Sequence, residues 1–368
     1  MSEEVICSGC GISIQTENKN ELGYVPSQAL EREVVICQRC FRLKHYNEVP
    51  DLPLTSEDFI AILNRISKED ALVVKIVDIF DFTGSWLDDL ASYVGRKDVM
   101  LVGNKSDLLP ESVNQNKVML WMREEAKKRG VIPKDVRLMS ASKGHDVEKV
   151  AHAMDKARKG RDVYIVGATN VGKSTFINTL IQLFGGDEEQ LLTTSHFPGT
   201  TLDMLDLPLD DGSKLYDTPG IINEEQITHV LDKNELKDIT PTKEIKPAVY
   251  QLHSEQTLFF AGLARLDFLE GERNSFICYL SNSLYIHRTK SEQADALYEK
   301  HKGEMLSPPY KDTIEALPPF VRHEFFIEEE KTDIVIPGLG WVTVRESGAH
   351  VCVFAPEGVK VSLREAII

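Results

Sequence analysis

Apolar and polar residues alternate over residues 50–160 in a pattern that favours strands followed by helices. "ALVVKIVDIFD" (71–81) and "DVMLVGNKSD" (98–107) are apolar runs that end in polar residues, as buried parallel strands do. By contrast, one face of a helix over residues 146–160 collects the apolar side chains of Val147, Val150, Ala151, Met154 and Ala157. Strand–helix alternation of this kind predicts an α/β fold with an open, mainly parallel sheet and helices on both faces.

The same alternation continues towards residue 222. A long amphipathic helix is predicted over residues 111–130, where Gly130 ends it. The apolar run 162–167 predicts a strand, and a helix is predicted to begin at Lys173. Asp211-Gly212 then predicts the turn of a hairpin.

The pattern changes after about residue 225. A helical connector over 223–240 leads to Pro241, and short runs rich in aromatic and β-branched residues follow, separated by Gly and Pro. One helical stretch, 291–306, interrupts them. We therefore expect a separate β-rich C-terminal domain.

Composition narrows the class of protein. The 368 residues carry a formal net charge of −16, which argues against a general binder of nucleic-acid backbones, so no DNA partner is expected. No apolar run reaches the roughly 18 residues of a membrane span, and the acidic start "MSEEVICSGC" lacks the features of a secretory signal. We therefore expect a cytoplasmic protein with no membrane partner.

One local basic patch departs from the overall acidity. "CQRCFRLKHY" (37–46) brings together Arg39, Arg42, Lys44 and His45. The patch is either a solvated surface turn or a contact for RNA, and charge alone does not separate the two interpretations.

"GATNVGKST" (167–175) matches the phosphate-loop pattern G-x-x-x-x-G-K-[ST] between a predicted strand and a predicted helix. In this motif backbone N–H groups surround the β-phosphate, Lys173 bridges the β- and γ-phosphates, and Ser174 binds Mg²⁺. The residues predicted to line the phosphates are Gly167, Asn170, Val171, Gly172, Lys173, Ser174 and Thr175.

"YDTPG" (216–220) supplies the expected companions of a phosphate loop. Asp217 is predicted to hold Mg²⁺ through water, and the Gly220 N–H to face the γ-phosphate. A switch threonine that senses Mg²⁺ and the γ-phosphate is expected between the two motifs. Thr201 is the first choice and Thr200 the second, so the predicted catalytic residues are Lys173, Thr201 and Gly220.

"NKSD" (104–107) predicts a reader of the guanine ring. The Asp107 carboxylate can accept from guanine N1–H and N2–H₂, and adenine lacks both donors. Asn104 is expected to tie the base to the phosphate loop, and the Lys105 stem to cover the ring. "SAS" follows the next strand as Ser140, Ala141 and Ser142, of which the Ala141 N–H is expected to reach guanine O6.

The order of these motifs departs from that of conventional GTPases, in which the phosphate loop comes first. Here NKSD and SAS precede the phosphate loop and DTPG, which predicts a circularly permuted GTPase fold. The helix 146–159 and the short "KGRD" stretch after it are expected to connect the two ends of the unpermuted fold, and we call this connection the joint. The predicted domains are 1–47, a zinc-binding finger; 48–222, the permuted GTPase; and 223–368, the connector and β-rich domain.

This motif order, the two N-terminal cysteine pairs and "VDIFDFTGS" (77–85) together resemble the YqeH family of circularly permuted GTPases over essentially the whole chain. The family acts in assembly of the small ribosomal subunit. The resemblance implies GTP hydrolysis with GTP/GDP and Mg²⁺, a zinc-binding N-terminus, and a C-terminal β domain that binds RNA or protein. It also implies the 30S subunit or its precursor, with 16S rRNA, as partner.

No glutamine follows DTPG to orient water, because Ile221 and Ile222 stand there. The site thus resembles GTPases that use a monovalent cation in place of an arginine finger. Asn170 matches the asparagine that holds K⁺ in such enzymes, and K⁺ would add positive charge beside the β/γ bridge. The alternative is an asparagine that serves only turn geometry.

The cysteines divide into two classes. Cys7, Cys10, Cys37 and Cys40 form two C-x₂-C pairs, a pattern that favours one tetrahedral structural zinc over two disulfides or free thiols in a cytoplasmic protein. Cys278 and Cys352 lie in apolar runs and are expected to be small buried side chains.

Two functions are compatible with these motifs. In the first, the protein is a GTP-hydrolysing switch whose nucleotide state is passed along the connector to the C-terminal domain. In the second, it is an RNA-binding assembly module in which GTP is mainly structural. Ribosome association in different nucleotide states distinguishes them.

Overall fold

The computed structural model of the chain describes residues 5, 7, 13–19, 23–31, 35–38, 53–54, 63–64, 66–87, 92, 97–184, 193–196, 203–218 and 220–368. The described residues form two compact units. The first unit takes those of Met1–Asp78, Ser85–Lys105 and Met119–Ile222. The second unit takes Ile79–Gly84, Ser106–Val118 and Asn223–Ile368.

The first unit is built on a seven-stranded sheet and a short parallel pair. In chain order the strands are β1 (Pro53–Leu54), β2 (Ala71–Asp78), β3 (Asp98–Asn104), β4 (Asp135–Leu138), β5 (Asp162–Val166), β6 (Thr193–His196), β7 (Asp203–Pro208), β8 (Lys214–Asp217) and β9 (Gly220–Ile221). The large sheet has the order β4-β3-β2-β5-β8-β7-β6, and β1 pairs with β9.

Five neighbouring strands of the sheet, from β4 to β8, run parallel, and β7 and β6 are antiparallel additions. β2 is buried along its whole length, as its continuous apolar run predicts. The parallel register places Asp78 beside Asn104, and Ile165 beside Asp217. Polar residues therefore meet at the carboxyl edge of the sheet, where open α/β sheets bind ligands.

Among the described residues, three helices accompany this sheet: α1 (Gln115–Lys128), α2 (Val147–Arg158) and α3 (Lys173–Phe184). α1 ends just before Gly130, which has φ +78° as a helix-terminating glycine does. In α2 the predicted apolar face is buried except at Ala157, which is half-buried. Arg158 is buried in its place because its guanidinium binds the carboxylates of Asp155 and Asp211.

The connection from α2 to β5 is the joint that the sequence predicts. Lys159 has φ +53° and Gly160 φ +78°, so the chain turns sharply after the helix. Arg158 then binds Asp211 at the hairpin between β7 and β8, with Nη1–Oδ2 2.7 Å. The Ser213 hydroxyl and the Arg158 guanidinium together lower the pKa of Asp211 to about 2. The joint thereby links the edge strand β4, through α2, to the central strand β5.

The second unit contains two five-stranded antiparallel sheets. Its strands are β10 (Ala248–Leu252), β11 (Gln256–Phe260), β12 (Ala264–Glu270), β13 (Asn274–Leu280), β14 (Ile286–Lys290), β15 (Phe320–Phe326), β16 (Thr332–Ile336), β17 (Gly340–Val344), β18 (His350–Pro356) and β19 (Ser362–Glu365). The sheet orders are β10-β13-β17-β16-β19 and β14-β11-β12-β18-β15. The expected β-rich C-terminal region is confirmed.

Cys278 and Cys352 lie in the interior of the second unit, as predicted. Burial raises the pKa of both thiols. They are therefore small apolar side chains of the core rather than nucleophiles.

The connector is less continuous than the pattern predicts. A 3₁₀ turn at Ile227–Val230 comes first, and α4 (Lys233–Ile239) follows as a separate helix. Asp232 caps α4, since its side chain accepts from the Glu235 N–H while Glu235 accepts from the Asp232 N–H. The capping box starts a new helix at this point. The helical stretch predicted over 291–306 is α5 (Ser291–His301).

Several predictions fall on residues outside those described: the switch threonine at 200 or 201, Cys10 and Cys40, and the basic residues 39, 42, 44 and 45. Within the described part of the chain, no helix combines the length and apolar character needed to cross a bilayer.

Candidate nucleotide-binding site

The phosphate loop connects β5 to α3, in the strand–loop–helix context that the motif requires. A methyl group on Gly167 would lie 2.6 Å from the Ile76 carbonyl oxygen, so only glycine fits beside β2. Gly172 has φ +92°, a conformation that residues with a Cβ rarely adopt. Both glycines of the motif are therefore required by the backbone.

Lys173 and Ser174 are the first residues of α3, and both are buried. Lys173 Nζ donates to the Ala168 oxygen at 2.9 Å and to the Gly167 oxygen at 3.1 Å. The ammonium group thus lies over the loop, where phosphate oxygens can take the place of the carbonyls. Thr175, also a predicted contact, is exposed to solvent.

DTPG approaches the phosphate loop from the neighbouring strand. β8 ends at Asp217, and a methyl group on Gly220 would lie 2.9 Å from Lys173 Nζ. Ile221 accepts a hydrogen bond from the Thr169 N–H at 2.7 Å, which fixes Gly220 beside the loop. The structure therefore brings the predicted γ-phosphate sensor next to the predicted phosphate lysine.

Ser174 and Asp217 are the predicted magnesium ligands on the described residues. They are 7% and 8% exposed and lie on adjoining elements, α3 and β8. A hydroxyl and a carboxylate are oxygen donors of the kind that Mg²⁺ accepts beside substrate phosphates. The residues present therefore fit a magnesium ion, with Thr201 outside the described residues.

Asn104, at the end of β3, binds the loop after β4 and the phosphate loop after β5. Its side-chain oxygen accepts from the Ala141 N–H at 2.9 Å, and its Nδ2 donates to the Val171 oxygen at 2.7 Å. The predicted tie to the phosphate loop is thus present. The Ala141 N–H, expected to reach guanine O6, here donates to Asn104 instead, because β3 and β4 are neighbours and bring the two groups together.

The SAS loop is closed by short-range bonds. Ser140 is buried, its N–H donates to the His145 oxygen at 3.0 Å, and its hydroxyl accepts from the Lys143 N–H at 3.3 Å. Ala141 is buried at this turn, whereas Ser142 is exposed. The turn therefore fixes the backbone at 141, and Ser142 lies on its outer side.

Asp107 lies in a 3₁₀ turn, Ser106–Leu108, directly after β3 and Lys105. Its Oδ1 is buried, and among the described residues it has no hydrogen-bond partner. A buried carboxylate oxygen without a donor is costly, which is typical of a group that a ligand completes. The two donors of the guanine edge are suited to it.

Lys105 has a partner that the sequence analysis did not identify. It adopts φ +64°, and its Nζ lies 2.6 Å from Asp78 Oδ2. Asp78 ends β2 within the quoted stretch 77–85, but only the parallel register with Asn104 reveals its place in the site. A polar residue at the carboxyl end of a buried strand was the available signal.

Asn170 has φ +61°, which asparagine tolerates better than most residues. This conformation accounts for an asparagine in the loop by turn geometry. It does not test the predicted K⁺ ligand, which stays a prediction.

Cys7 and Cys37 are buried together with Val25. The Cys37 N–H donates to Cys7 Sγ at 3.1 Å, a bond of the kind that supports a thiolate ligand. Cys10 and Cys40 lie outside the described residues, and the described residues contain no group of three metal-binding side chains. These two cysteines fit half of the predicted zinc site, and the zinc site stays a prediction.

Comparison with known proteins agrees with this site. A family model described as YqeH-like, C-terminal matches residues 273–367, and one described as 50S ribosome-binding GTPase matches residues 162–256. The Bacillus subtilis protein YqeH is 55% identical over 366 residues, which cover 100% of both chains. NO-associated protein 1 of Arabidopsis thaliana, chloroplastic/mitochondrial, is 29% identical over 98% of this chain and 76% of its own length.

Among solved structures, YjeQ from Thermotoga maritima aligns with 42% of this chain and 51% of its own. The TM-score is 0.27 and the identity 23%, so this likeness adds nothing to the assignment.

Proposed function

The chain belongs to the YqeH family of GTPases, and from that premise we propose that it is a GTP-hydrolysing switch in assembly of the 30S ribosomal subunit and maturation of 16S rRNA. The substrate is GTP and the products are GDP and phosphate. The proposed place of action is the cytoplasm.

One observation carries the proposal of a switch. Gly220 lies beside Lys173 Nζ, and the chain that leaves Gly220 enters the second unit at Asn223. A change at the γ-phosphate that moves Gly220 therefore acts on a segment covalently joined to the C-terminal β domain. In an unpermuted GTPase the chain after DTPG would return to the GTPase domain itself.

The described residues account for the binding steps. Asp107 and Asn104 recognise and place the guanine ring, while the phosphate loop and Lys173 hold the β- and γ-phosphates. Mg²⁺, when bound at Ser174 and Asp217, offsets phosphate charge. The Gly220 N–H and Thr201 are proposed to contact the γ-phosphate.

Neither residue after DTPG has a polar group that could orient the catalytic water, since Ile221 is a buried and Ile222 an exposed aliphatic side chain. We propose that K⁺, held by Asn170, supplies positive charge near the β/γ bridge. The amide oxygen of Asn170 is a suitable donor for such an ion.

We expect GTP hydrolysis to be about tenfold faster in K⁺ than in Na⁺, because the proposed K⁺ supplies the transition-state charge of an arginine finger. Phosphate release in the two salts at equal ionic strength measures this. Asn170→Gly removes the amide without backbone strain at φ +61° and should abolish the difference. Equal rates of the unmodified protein in both salts would exclude the K⁺ proposal.

We also propose that the N-terminal segment is a zinc finger. Cys7 and Cys37, with Cys10 and Cys40, are proposed to hold one Zn²⁺ that organises the N-terminal segment. The same segment carries the basic residues at 39, 42 and 44, which are proposed to contact rRNA.

Co-sedimentation with 30S subunits tests the switch. We expect the bound fraction to differ among GTP, GDP and a non-hydrolysable GTP analogue, because the C-terminal segment is joined to the γ-phosphate sensor. Lys173→Ala, which cannot hold the phosphates, should lose this dependence. An identical bound fraction in all three states would instead favour the RNA-binding module with structural GTP.

A further inference from the structure

The Asp78–Lys105 pair lies at the carboxyl edge of the sheet, where β2 and β3 end side by side. The side chain of Asp78 is 12% exposed and that of Lys105 27%, so solvent screens this ion pair less than a surface pair. The 2.6 Å contact holds the Lys105 ammonium in one place. The NKSD motif predicts that the Lys105 stem covers the guanine ring, and Asp78 then sets where that stem lies.

Asp78 is itself held by the loop that follows it. The Ser85 hydroxyl accepts from the Asp78 N–H at 3.0 Å and donates to the Asp78 oxygen at 3.4 Å. Ser85 is 1% exposed, so water does not compete for these bonds. The Ile79–Gly84 loop therefore begins and ends at one point, where Asp78 and Ser85 are hydrogen-bonded to each other.

The Ile79–Gly84 loop is part of the second unit. The Phe80 ring lies 5.7 Å from the Trp341 ring, centroid to centroid. Gln226 Nε2 donates to Asp81 Oδ2 at 2.9 Å, and Asn223 Nδ2 donates to the Gly84 oxygen at 2.7 Å. The loop is thus held by Trp341 and by two side chains of the segment that follows DTPG.

The segment after Lys105, like the loop after Asp78, belongs to the second unit. Ser106–Val118 also belongs to the second unit, where the Ile245 N–H donates to the Leu108 oxygen at 2.9 Å. Both members of the ion pair are therefore followed at once by segments of the second unit. The guanine side of the site has a direct covalent link to that unit, separate from the link through Gly220.

We propose that Asp78 is a positioning residue of the guanine site that acts through Lys105, and that Asn223 and Gln226 set its position through the Ile79–Gly84 loop. This inference rests on the proposed GTPase function. It adds Asn223 and Gln226 of the second unit to the determinants of guanine affinity.

The variant Asp78→Asn of the full-length protein tests whether Asp78 is a positioning residue of the guanine site. The amide keeps the volume but loses the charge, so we expect the Kd for fluorescent N-methylanthraniloyl-GDP to rise about tenfold, the size of one charge-assisted hydrogen bond. The KM for GTP should rise equally and kcat should stay unchanged, because Lys105 contacts the base in both ground and transition states. A loss of folded protein would lower kcat and leave KM unaltered.

A double-mutant cycle shows whether Asp78 acts through Lys105. Lys105→Met keeps an apolar stem over the ring and removes the ammonium. In that background Asp78→Asn should weaken GDP binding no further, because the shared interaction is already gone. A further loss of the same tenfold would contradict the proposed route.

Asp98 offers a matched control at the opposite end of β3. Its side chain is 14% exposed and pairs with Lys134 and Arg161, and hydrogen bonds from these two residues outweigh burial and lower the pKa of the carboxyl. Asp98→Asn should lower the unfolding temperature without changing the KM for GTP. An equal rise in KM would show that loss of any such ion pair has this effect, and would overturn the proposal.

Variants of the second unit test whether Asn223 and Gln226 act on the guanine site through the Ile79–Gly84 loop. Gln226→Ala and Asn223→Ala should each raise the GDP Kd about three- to tenfold, because each removes one hydrogen bond that holds the Ile79–Gly84 loop. Glu225→Ala is the control, since Glu225 is exposed and pairs with Lys360. Unchanged GDP affinity in both Gln226→Ala and Asn223→Ala would overturn the role of the loop.

The same titration separates this inference from the function on which it rests. Absence of guanine-nucleotide binding by the unmodified protein would contradict the GTPase proposal. Normal GDP binding together with an unaltered Asp78→Asn variant would contradict only the role of Asp78.

Discussion

Replacing Asp107 by asparagine is expected to change the base that the protein prefers from guanine to xanthine. Among the described residues the buried Oδ1 of Asp107 has no hydrogen-bond partner, and the guanine N1–H and N2–H₂ donors are expected to bind this carboxylate. An asparagine keeps one acceptor and turns a donor towards N2–H₂, so GTP affinity should fall roughly 10²–10³-fold. This is less than the roughly 10⁴–10⁵-fold rejection of a fully mismatched analogue, because one hydrogen bond survives. Xanthine presents an oxygen at that position and accepts the new donor.

Titration of both proteins with GDP and XDP measures this exchange. The two affinities should cross, with GDP weaker and XDP tighter for Asp107→Asn. Asp135→Asn, at the start of β4, is a control that removes a carboxylate paired with Arg137 on its own strand. If Asp107→Asn bound GDP as tightly as the unmodified protein, the assignment of the guanine reader would be wrong.

The second large effect is expected from Lys173→Ala. Lys173 is fully buried, and its ammonium lies over the phosphate loop next to Gly220. Removing it leaves the developing charge on the β- and γ-phosphates without its main protein cation, so hydrolysis should fall by about 10²–10³-fold. Nucleotide binding should weaken too, since the lysine also contacts the phosphates of the bound substrate.

Single-turnover phosphate release, with calorimetric titration of GDP, checks this expectation. Lys173→Arg should fail to restore activity, because a planar guanidinium does not fit a site shaped for a compact ammonium. Lys156→Ala, on the exposed side of α2, is a control for loss of one positive charge near the sheet. Unchanged hydrolysis in Lys173→Ala would remove Lys173 from the catalytic residues.

The parts of the site that the sequence predicted are those that are local in the chain. The phosphate loop is a continuous segment, and its Gly172 is required by the turn of that segment itself, where φ is +92°. Likewise the burial pattern of β2 and the hairpin between β7 and β8 depend on residues close together in sequence. Motif spacing and periodicity record such local requirements directly.

Contacts between distant residues were not predictable in the same way. Asp78 pairs with Lys105 only because β2 and β3 end in register, and the Ala141 N–H meets Asn104 only because β4 is the next strand. Arg158 replaces Ala157 in the buried face of α2 because the hairpin brings Asp211 to it. Each of these depends on strand order, which no single stretch of sequence carries.

From the sequence alone came the class of ligand, guanine nucleotide, and the permuted order of the motifs, because both are properties of short segments and of their order along the chain. The tertiary structure decided which segments share a unit. It placed Ile79–Gly84 and Ser106–Val118 with the C-terminal strands, although both begin beside guanine-site residues. The physical reason is packing: side chains such as Phe80 are buried against Trp341, and the partners of a buried side chain are set by the assembled sheets rather than by sequence distance.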